Sequence, residues 1–277
     1  MPRPSLRSVA SSPPIVAAPP EKTLAPAVLK ASRVLDALAE AGVPLSLAEL
    51  SRVVELPKSS LHTICATLLH LQLIQRAENG QMSLGPHLMN WANAFLERSD
   101  VTREFFAAWE EINELPEGTV TLSVLDGASV VYIACRNGSR PLGVTFRIGM
   151  RLPAPYTATG KAMLSTLADA DIRAALQGAW PKPLSPNGCR NLKAFLAEMP
   201  AVRARGYSID DGEVSEGMRC FGAPVFGAGG RHAVAGVAVS LLTAEISREK
   251  QESAGRAIRR LADRLSQRLG GIPPALG

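Results

Sequence analysis

SLAELSRVVELPKSSLHTICATLLH, residues Ser46 to His70, is the stretch that decides how this chain is read. Ser46 and Glu49 have the spacing of a capping box, in which each side chain satisfies the other residue's backbone N–H. Leu47, Leu50 and Val53 or Val54 then recur at helical spacing. Pro57 suits the first position of a second helix, where its missing N–H has no partner to lose. That second helix has two faces. Leu61, Ile64, Cys65, Leu68 and Leu71 form an apolar stripe, expected to pack on the helix before it and on an earlier helix carrying Val28, Ala31, Leu35 and Leu38. Lys58, Ser59, Ser60, His62, Thr63 and Thr67 lie off the stripe, and such polar groups at a helix start suit phosphate oxygens and base edges. Downstream, Leu73 to Arg76, Asn79-Gly80 and Gln81 to Leu84 predict a hairpin closed by a type I′ turn. Helix, tight turn, helix and hairpin is the order of a winged helix-turn-helix, whose second helix reads the major groove of duplex DNA. Ser46 and Arg76, on the first helix and the hairpin, complete the expected DNA contacts.

Small three-helix units with polar outer faces also serve as protein–protein modules, and charge does not choose between the two. Residues 1–85 carry 8 Lys+Arg against 6 Asp+Glu, a weak excess for a domain gripping DNA alone. A dimer on a two-fold operator doubles the contacts and makes a weakly basic module sufficient. The remaining basic excess sits in residues 246–277, with 7 basic groups against 3 acidic ones.

At 277 residues and 46% hydrophobic, the chain has room for one small and one larger domain. The sequence up to about Pro26 is rich in Pro, Ala and Ser and lacks the apolar core of a signal peptide. A disordered tail is therefore expected for residues 1–25. Ala233 to Leu242 is too short to span a bilayer and reads as a buried strand. Cys65, Cys135, Cys189 and Cys220 show no Cys-x-x-Cys pairing and read as reduced cytoplasmic thiols. With the four histidines also dispersed, no metal and no cofactor are expected. There is no Gly-x-Ser-x-Gly elbow, no phosphate-cradling loop and no histidine paired with a nucleophile, so an enzyme is not expected.

After the hairpin, Pro86 opens a helix with Leu88, Ala92, Phe95 and Leu96 on one side, a stripe suited to dimerisation. Ser99-Asp100 then reads as the cap of another helix carrying Phe105, Phe106, Trp109 and Ile112. From Thr119 the period changes to two. Val120 to Val124, Asp126-Gly127 and Ser129 to Ala134 predict a hairpin, and Leu142 to Ile148 a further strand. Thr159 to Leu167 returns to helix, and Leu192 to Arg205 is helical with Pro200 expected to kink or split it. Arg219 to Phe226 and His232 to Leu242 predict a hairpin at a sheet's centre. A last helix carries Ala254, Ile258, Leu261, Leu265 and Leu269 and stops at Gly270-Gly271. The expected class is α+β, an antiparallel sheet flanked by helices, following the DNA reader.

Four segments carry a family resemblance: Leu56 to His62, Thr157 to Ala162, Arg205 to Glu213 and Gly217 to Phe226. In this order and spacing they resemble the successive motifs of IclR-type transcriptional regulators, over roughly residues 25 to 270. The resemblance implies a winged helix-turn-helix (26–85), a linker helix (86–100) and a GAF-like effector-binding domain (101–277). It also implies double-stranded operator DNA as one partner, an organic or aromatic acid effector as another, and assembly as a dimer or a dimer-of-dimers tetramer. Carried over by position, the effector site comprises Ala158, Thr159, Gly160, Asp210, Cys220 and Ser240. Backbone N–H groups at the start of the helix near Gly160 suit a carboxylate. Taken on their own, Cys220 reads equally as a small core residue, Asp210-Asp211 as a solvated turn and Gly160 as a helix-start residue. The alternative function is a ligand-free DNA-binding or interaction module with a vestigial sensor.

The chain departs from the family pattern in four places. Thr63 stands where an Arg often follows the recognition-helix His, Ala238-Val239-Ser240 replaces Ser-x-Ser, and Gly227 replaces an Asp or Asn. Pro155-Tyr156 replaces His-Ala, which places an aromatic ring near the expected pocket mouth. One hydroxyl fewer and one ring more lean toward an effector less polar than glyoxylate or pyruvate.

Overall fold

The structure, a computed structural model, describes residues 25–97, 100–112, 118–138, 146–178, 180–245 and 247–273. The expected tail at 1–25 lies outside them up to residue 24. The chain divides into two compact units, with the boundary after Leu96.

The first unit holds α1 (Pro26–Ala41), α2 (Leu47–Val54), α3 (Lys58–His70), β1 (Ile74–Arg76), β2 (Met82–Leu84) and α4 (His87–Glu97). Ser46 caps α2 by the expected reciprocal pair of bonds with Glu49. Glu55 turns the chain in the left-handed region at φ 53, a conformation that costs a residue with a Cβ about 1–2 kcal/mol. The Ser51 hydroxyl, 2.7 Å from the Leu56 carbonyl, steadies that turn. Pro57 sits one place earlier than expected, as the residue before α3 rather than its first member. Val34, Leu50 and Leu61 are fully buried and form the heart of the core with Leu38, Cys65 and Leu68. Burying each such aliphatic side chain contributes about 1.5–3 kcal/mol.

Two stripe assignments change: Val28 and Leu71 are exposed because they sit at helix ends beyond the contact zone. Of the two valines left open, Val54 faces inward. The hairpin forms with Gln75 opposite Ser83, but its turn is not type I′. The N–H of Gly80 donates to Ala77 and that of Ala77 to Gln81, while only Gly80, at φ 81, is left-handed. This is a three-residue loop closed by a left-handed glycine, with Asn79 Oδ1 accepting from the Gln81 N–H. Leu45 pairs with Met82 and adds a third short segment to the hairpin.

The second unit contains α5 (Asp100–Ile112) and a six-stranded antiparallel sheet built from β3 (Thr119–Asp126), β4 (Ser129–Arg136), β5 (Arg151–Pro153), β6 (Ser208–Asp211), β7 (Met218–Phe226) and β8 (Ala233–Leu242). Its order is β5-β4-β3-β8-β7-β6. The helices α6 (Ala158–Leu164), α7 (Asp169–Ala175), α8 (Leu192–Arg205) and α9 (Arg248–Arg268) complete it. The β3–β4 turn comprises Gly127-Ala128, one residue later than expected, with Gly127 at φ 60.

The sheet has α6 on one face. Ser208 Oγ bonds the Ala158 carbonyl, and Gly222 and Gly236 lie directly under Ala158 and Thr159. The other face carries Phe221 against Tyr207, whose ring lies over Gly255 of α9.

Four expectations fail or are only partly described here. The strand expected at Leu142 to Ile148 lies outside the described residues up to residue 145. Its remainder is irregular, and β4 instead takes β5 as its outer neighbour. The helix expected to reach Leu167 stops at Leu164, and α7 follows. Asp210-Asp211 is part of β6 and not a solvated turn. Most informative is α8, which runs unbroken through Pro200. A mid-helix proline costs about 3 kcal/mol, but Phe195, Leu196, Met199 and Val202 are all buried and their combined burial outweighs it.

Candidate functional site

The polar face of α3 is as the sequence drew it. Lys58, Ser59, His62, Thr63 and Thr67 are exposed and Ser60 is half-buried. Thr63 Oγ1 donates to the Ser59 carbonyl and Thr67 Oγ1 to the Thr63 carbonyl, so both hydroxyls remain available mainly as acceptors. Ser46 differs, because its hydroxyl is committed at both ends to Glu49. Arg76 is exposed on β1, with its guanidinium against Gly80 at the hairpin tip.

The linker stripe is redistributed on α4. Leu88 is half-buried against the first unit's own core, and Ala92 is exposed. The exposed apolar residues there are Met89 and Trp91. The side chains of Phe95 and Leu96 lie outside the described residues, as do Ser99 and the Ile112 side chain. On α5, Phe105 is buried while Phe106 is exposed.

In the second unit, strand register aligns three of the six residues picked from sequence. Asp210 pairs with Cys220, Cys220 with Ser240, and Ser240 with Thr119. These four therefore form one transverse row across β6, β7, β8 and β3. Ala158, Thr159 and Gly160 open α6 above the same face. All six of the chosen residues are buried.

The hydrogen bonds inside this group are largely closed. The Cys220 thiol and the Ser240 hydroxyl are 3.2 Å apart. Asp210 Oδ1 accepts from the backbone N–H groups of Glu213 and Val214 at 2.6 and 3.3 Å. Ser123 Oγ meets Thr159 Oγ1 at 2.7 Å. The Gly160 N–H, assigned from sequence to an effector carboxylate, donates to Thr157 Oγ1 at 3.0 Å.

Burial sets the electrostatics. It pushes the Asp210 carboxyl up to about 6, although the N–H donors and Lys161 pull the other way. Burial likewise pushes the Cys220 thiol and the Tyr132 phenol well above their usual ranges, with Asp210 adding to both. Both groups are therefore neutral at pH 7. Their neutral forms offer hydrogen bonds without repelling an anion.

Sequence reasoning missed three participants. Tyr132 is buried in the apolar cluster that surrounds Cys220 and Ala238, with its ring against Phe146. Thr119 extends the row. Lys161 is fully buried, its ammonium bonded to Glu213 and, at 3.0 Å, to Glu198. Lys161 and Glu213 both stood inside quoted motifs, where charge alone suggested solvated residues. Tyr156 is buried against Trp180 and donates to the Pro181 carbonyl. It is a packed residue rather than a ring at a pocket mouth.

A cleft of about 590 Å³ opens elsewhere, between the C-terminal ends of α6 and α8, the β7–β8 turn and α9. Arg203, Arg231, Arg259 and Asp263 line it, and none of the six effector candidates does. No group of three or more His, Cys, Asp or Glu among the described residues has the arrangement of a metal site. No helix there is long and apolar enough to cross a membrane.

Residues 27–78 match the IclR helix-turn-helix domain and residues 93–267 the bacterial transcriptional regulator IclR C-terminal domain. The HTH-type transcriptional regulator XynR of Escherichia coli is 30% identical over 241 residues, spanning 84% of this chain and 95% of its own. The crystal structure of the Agobacterium tumefaciens repressor BlcR is 43% identical and aligns over 90% of this chain and 99% of its own, with a TM-score of 0.59. An IclR homologue from Microbacterium hydrocarbonoxydans, solved with 4-hydroxybenzoate, shares the fold at 16% identity, with a TM-score of 0.71 over 88% of this chain and 98% of its own.

Proposed function

Because the chain belongs to the IclR family of bacterial transcriptional regulators, with a helix-turn-helix DNA-binding domain and a C-terminal effector domain, we propose which of its residues read the operator and which hold the effector. The division at residues 26–85, 86–100 and 101–277 is part of this reading, as are a cytoplasmic location and the absence of catalysis. On α3, Lys58, Ser59, Ser60, His62, Thr63 and Thr67 face the operator, and Arg76 reaches it from the hairpin. Ser46 contributes by fixing the start of α2. Without an Arg at position 63, base discrimination falls to His62 and the hydroxyls, which lack the bidentate guanine contact of a guanidinium.

Met89 and Trp91 give α4 an exposed apolar surface that a second copy would cover. A homodimer, or a tetramer of two dimers, is the expected state. Light scattering at micromolar concentration checks it, and a monomer would refute it.

Lys58→Ala should weaken binding to all DNA sequences alike and lower the slope of log affinity against log salt by about 0.9, the counterion release of one phosphate contact. Fluorescence anisotropy at several salt concentrations, on operator and on random duplex, measures both. A loss confined to one sequence would show that Lys58 reads a base. If no duplex upstream of neighbouring transcription units is preferred, the operator assignment fails.

For the effector, the observation that carries the reading is the buried row of Asp210, Cys220, Ser240 and Thr119 on the sheet face that carries α6. Its neutral donors sit among Phe146, Leu152, Met163 and Ala238, surroundings suited to an organic acid with an apolar or aromatic body. The homologue holding 4-hydroxybenzoate supports that class. Ser240→Ala should cost about 1 kcal/mol of effector affinity, close to fivefold in Kd, while leaving effector-free DNA binding unchanged. Calorimetry with an acid found by thermal-shift screening decides it. Equal affinity in wild type, Ser240→Ala and Cys220→Val would place the site elsewhere.

The second reading is a sensor that binds nothing. The closed hydrogen bonds of the row and the separate position of the 590 Å³ cleft favour it. A screen in which no acid shifts the melting point would support it.

A further inference from the structure

Behind the row lies a cluster with more carboxyl groups than nearby cations. Lys161 holds Glu213 and Glu198 and also donates to the Ile209 carbonyl at 3.1 Å. Glu198 has a weaker second cation in Arg205 at 3.8 Å. Glu213 spends one oxygen on Lys161, while its other, Oε2, is buried without a hydrogen-bond partner among the described residues. The Glu213 N–H in turn bonds Asp210 Oδ1. Besides Tyr207, whose ring lies under the Arg205 guanidinium, the groups facing this cluster are the phenols of Tyr132 on β4 and Tyr156 before α6, and the thiols of Cys189 and of Cys220 on β7. Burial raises all four, so they are neutral at pH 7 and supply no charge.

With all three carboxyls ionised, Lys161 and Arg205 leave one negative charge uncompensated in a buried place. An effector anion at the row would add another beside it. Like charges that close cannot all persist away from water, and a proton on one carboxyl is the least costly remedy. Glu213 offers a bare oxygen to receive it. A proton on Asp210 would also turn that side chain from a competing acceptor into a donor toward the effector.

We propose that the sensor domain binds its anionic effector together with one proton, held by the Asp210–Glu213 carboxyl pair. This rests on the row being the effector site. In the effector-free protein, burial raises Asp210 to about 6 and Glu213 to about 7, against the pull of Lys161 on both. The pair is therefore mostly ionised at pH 7.5, and an approaching anion raises both groups further. A proton enters as the anion does, and the two carboxyls titrate as a unit rather than as separate residues. Effector affinity should fall as pH rises above about 7, by up to tenfold per unit for one proton.

The test is titration calorimetry of the full chain at pH 7.5 in phosphate and in Tris, whose ionisation enthalpies differ, with 4-hydroxybenzoate, benzoate, pyruvate and succinate as probes. The dependence of the measured heat on buffer enthalpy gives the protons taken up. Wild type should take up most of one proton with any probe that binds, a fraction being already bound at pH 7.5. The number should fall in Glu213→Gln and reach zero in Asp210→Asn combined with Glu213→Gln. Binding with no proton uptake in wild type, or unchanged uptake in the double variant, overturns the proposal while leaving the effector site standing. Should either variant fail to fold, the wild-type Kd between pH 7.5 and 8.5 decides alone: close to tenfold weakening supports the proposal, and a flat profile refutes it. If no probe binds, or binding ignores Ser240→Ala, the effector-site reading fails and the proton proposal falls with it.

Discussion

Replacing Gly222 by alanine is expected to lower the sensor domain's melting temperature by about 6–12 °C. β7 passes so close under α6 that a Cβ at position 222 would lie 2.5 Å from the Ala158 carbonyl carbon and 2.9 Å from the Thr159 nitrogen. Both are backbone atoms, which cannot swing aside as a side-chain tip can. The start of α6 is also tied down, by the Ser208 hydroxyl on the Ala158 carbonyl and by the Thr157 cap on the Gly160 N–H. Relief therefore requires lifting α6 from the sheet. Overpacking of this kind costs about 1–3 kcal/mol, and losing the Ser208 bond adds about 1 kcal/mol. At roughly 2–4 °C per kcal/mol for a domain of this size, a total near 3 kcal/mol gives the stated shift. Scanning calorimetry of the full chain should show the sensor transition lowered and the helix-turn-helix transition unmoved. A change below about 2 °C would mean that α6 is not held as the contacts imply. Effector affinity should fall too, because Ala158, Thr159 and Gly160 move with the helix.

The contact that makes Gly222 critical was beyond the reach of the sequence. Local signals were legible: the Ser46–Glu49 capping box, the two faces of α3, the β3–β4 and β7–β8 pairs, and the stripe of α9 each depend on residues close in the chain. The β6 strand was not, because its four residues, Ser208 to Asp211, include two aspartates and a serine and carry no apolar alternation. Pro200 misled in the opposite direction, since a local rule was overruled by burial of the neighbouring side chains. At the site, resemblance supplied residues but not their arrangement. That Asp210, Cys220, Ser240 and Thr119 share one row follows from the register of three strand pairs, of which the β7–β8 hairpin is local but the β6–β7 and β3–β8 pairings are not signalled by the sequence around them. Nor does sequence reveal a lysine that pairs with a glutamate 52 positions away, because charged residues read by default as solvent-exposed.

Lys161→Met should destabilise the sensor domain by about 3–5 kcal/mol at pH 8, the usual cost of removing one partner from a buried ion pair. The methionine fills similar space, so the loss is electrostatic. Burial alone would lower the lysine's pKa, but Glu213 and Glu198 more than offset it and the net shift is upward. The ammonium therefore stays charged throughout the working pH range. Without it, Glu213 and Asp210 are left as buried anions with no close countercharge, and the defect should depend on pH. In wild type burial already raises both carboxyls above their ordinary values, Glu213 to about 7 and Asp210 to about 6. A raised carboxyl contributes stability that is fully present below its unfolded pKa and is lost as pH climbs through the folded one. For this pair the decline runs from about pH 4 to about pH 7. Removing Lys161 raises both folded values further, so the variant should keep losing stability above pH 7, where wild type has levelled off. The gap between them should be widest at pH 8 and narrow toward pH 5. Adding Glu213→Gln removes one stranded charge and should restore part of the loss at pH 8 while changing little at pH 5. Melting curves of wild type, Lys161→Met, Glu213→Gln and the double variant at both pH values form a double-mutant cycle that isolates the pair. A deficit of equal size at pH 5 and pH 8, with no recovery in the double variant, would show that Lys161 stabilises the domain through its packing rather than its charge.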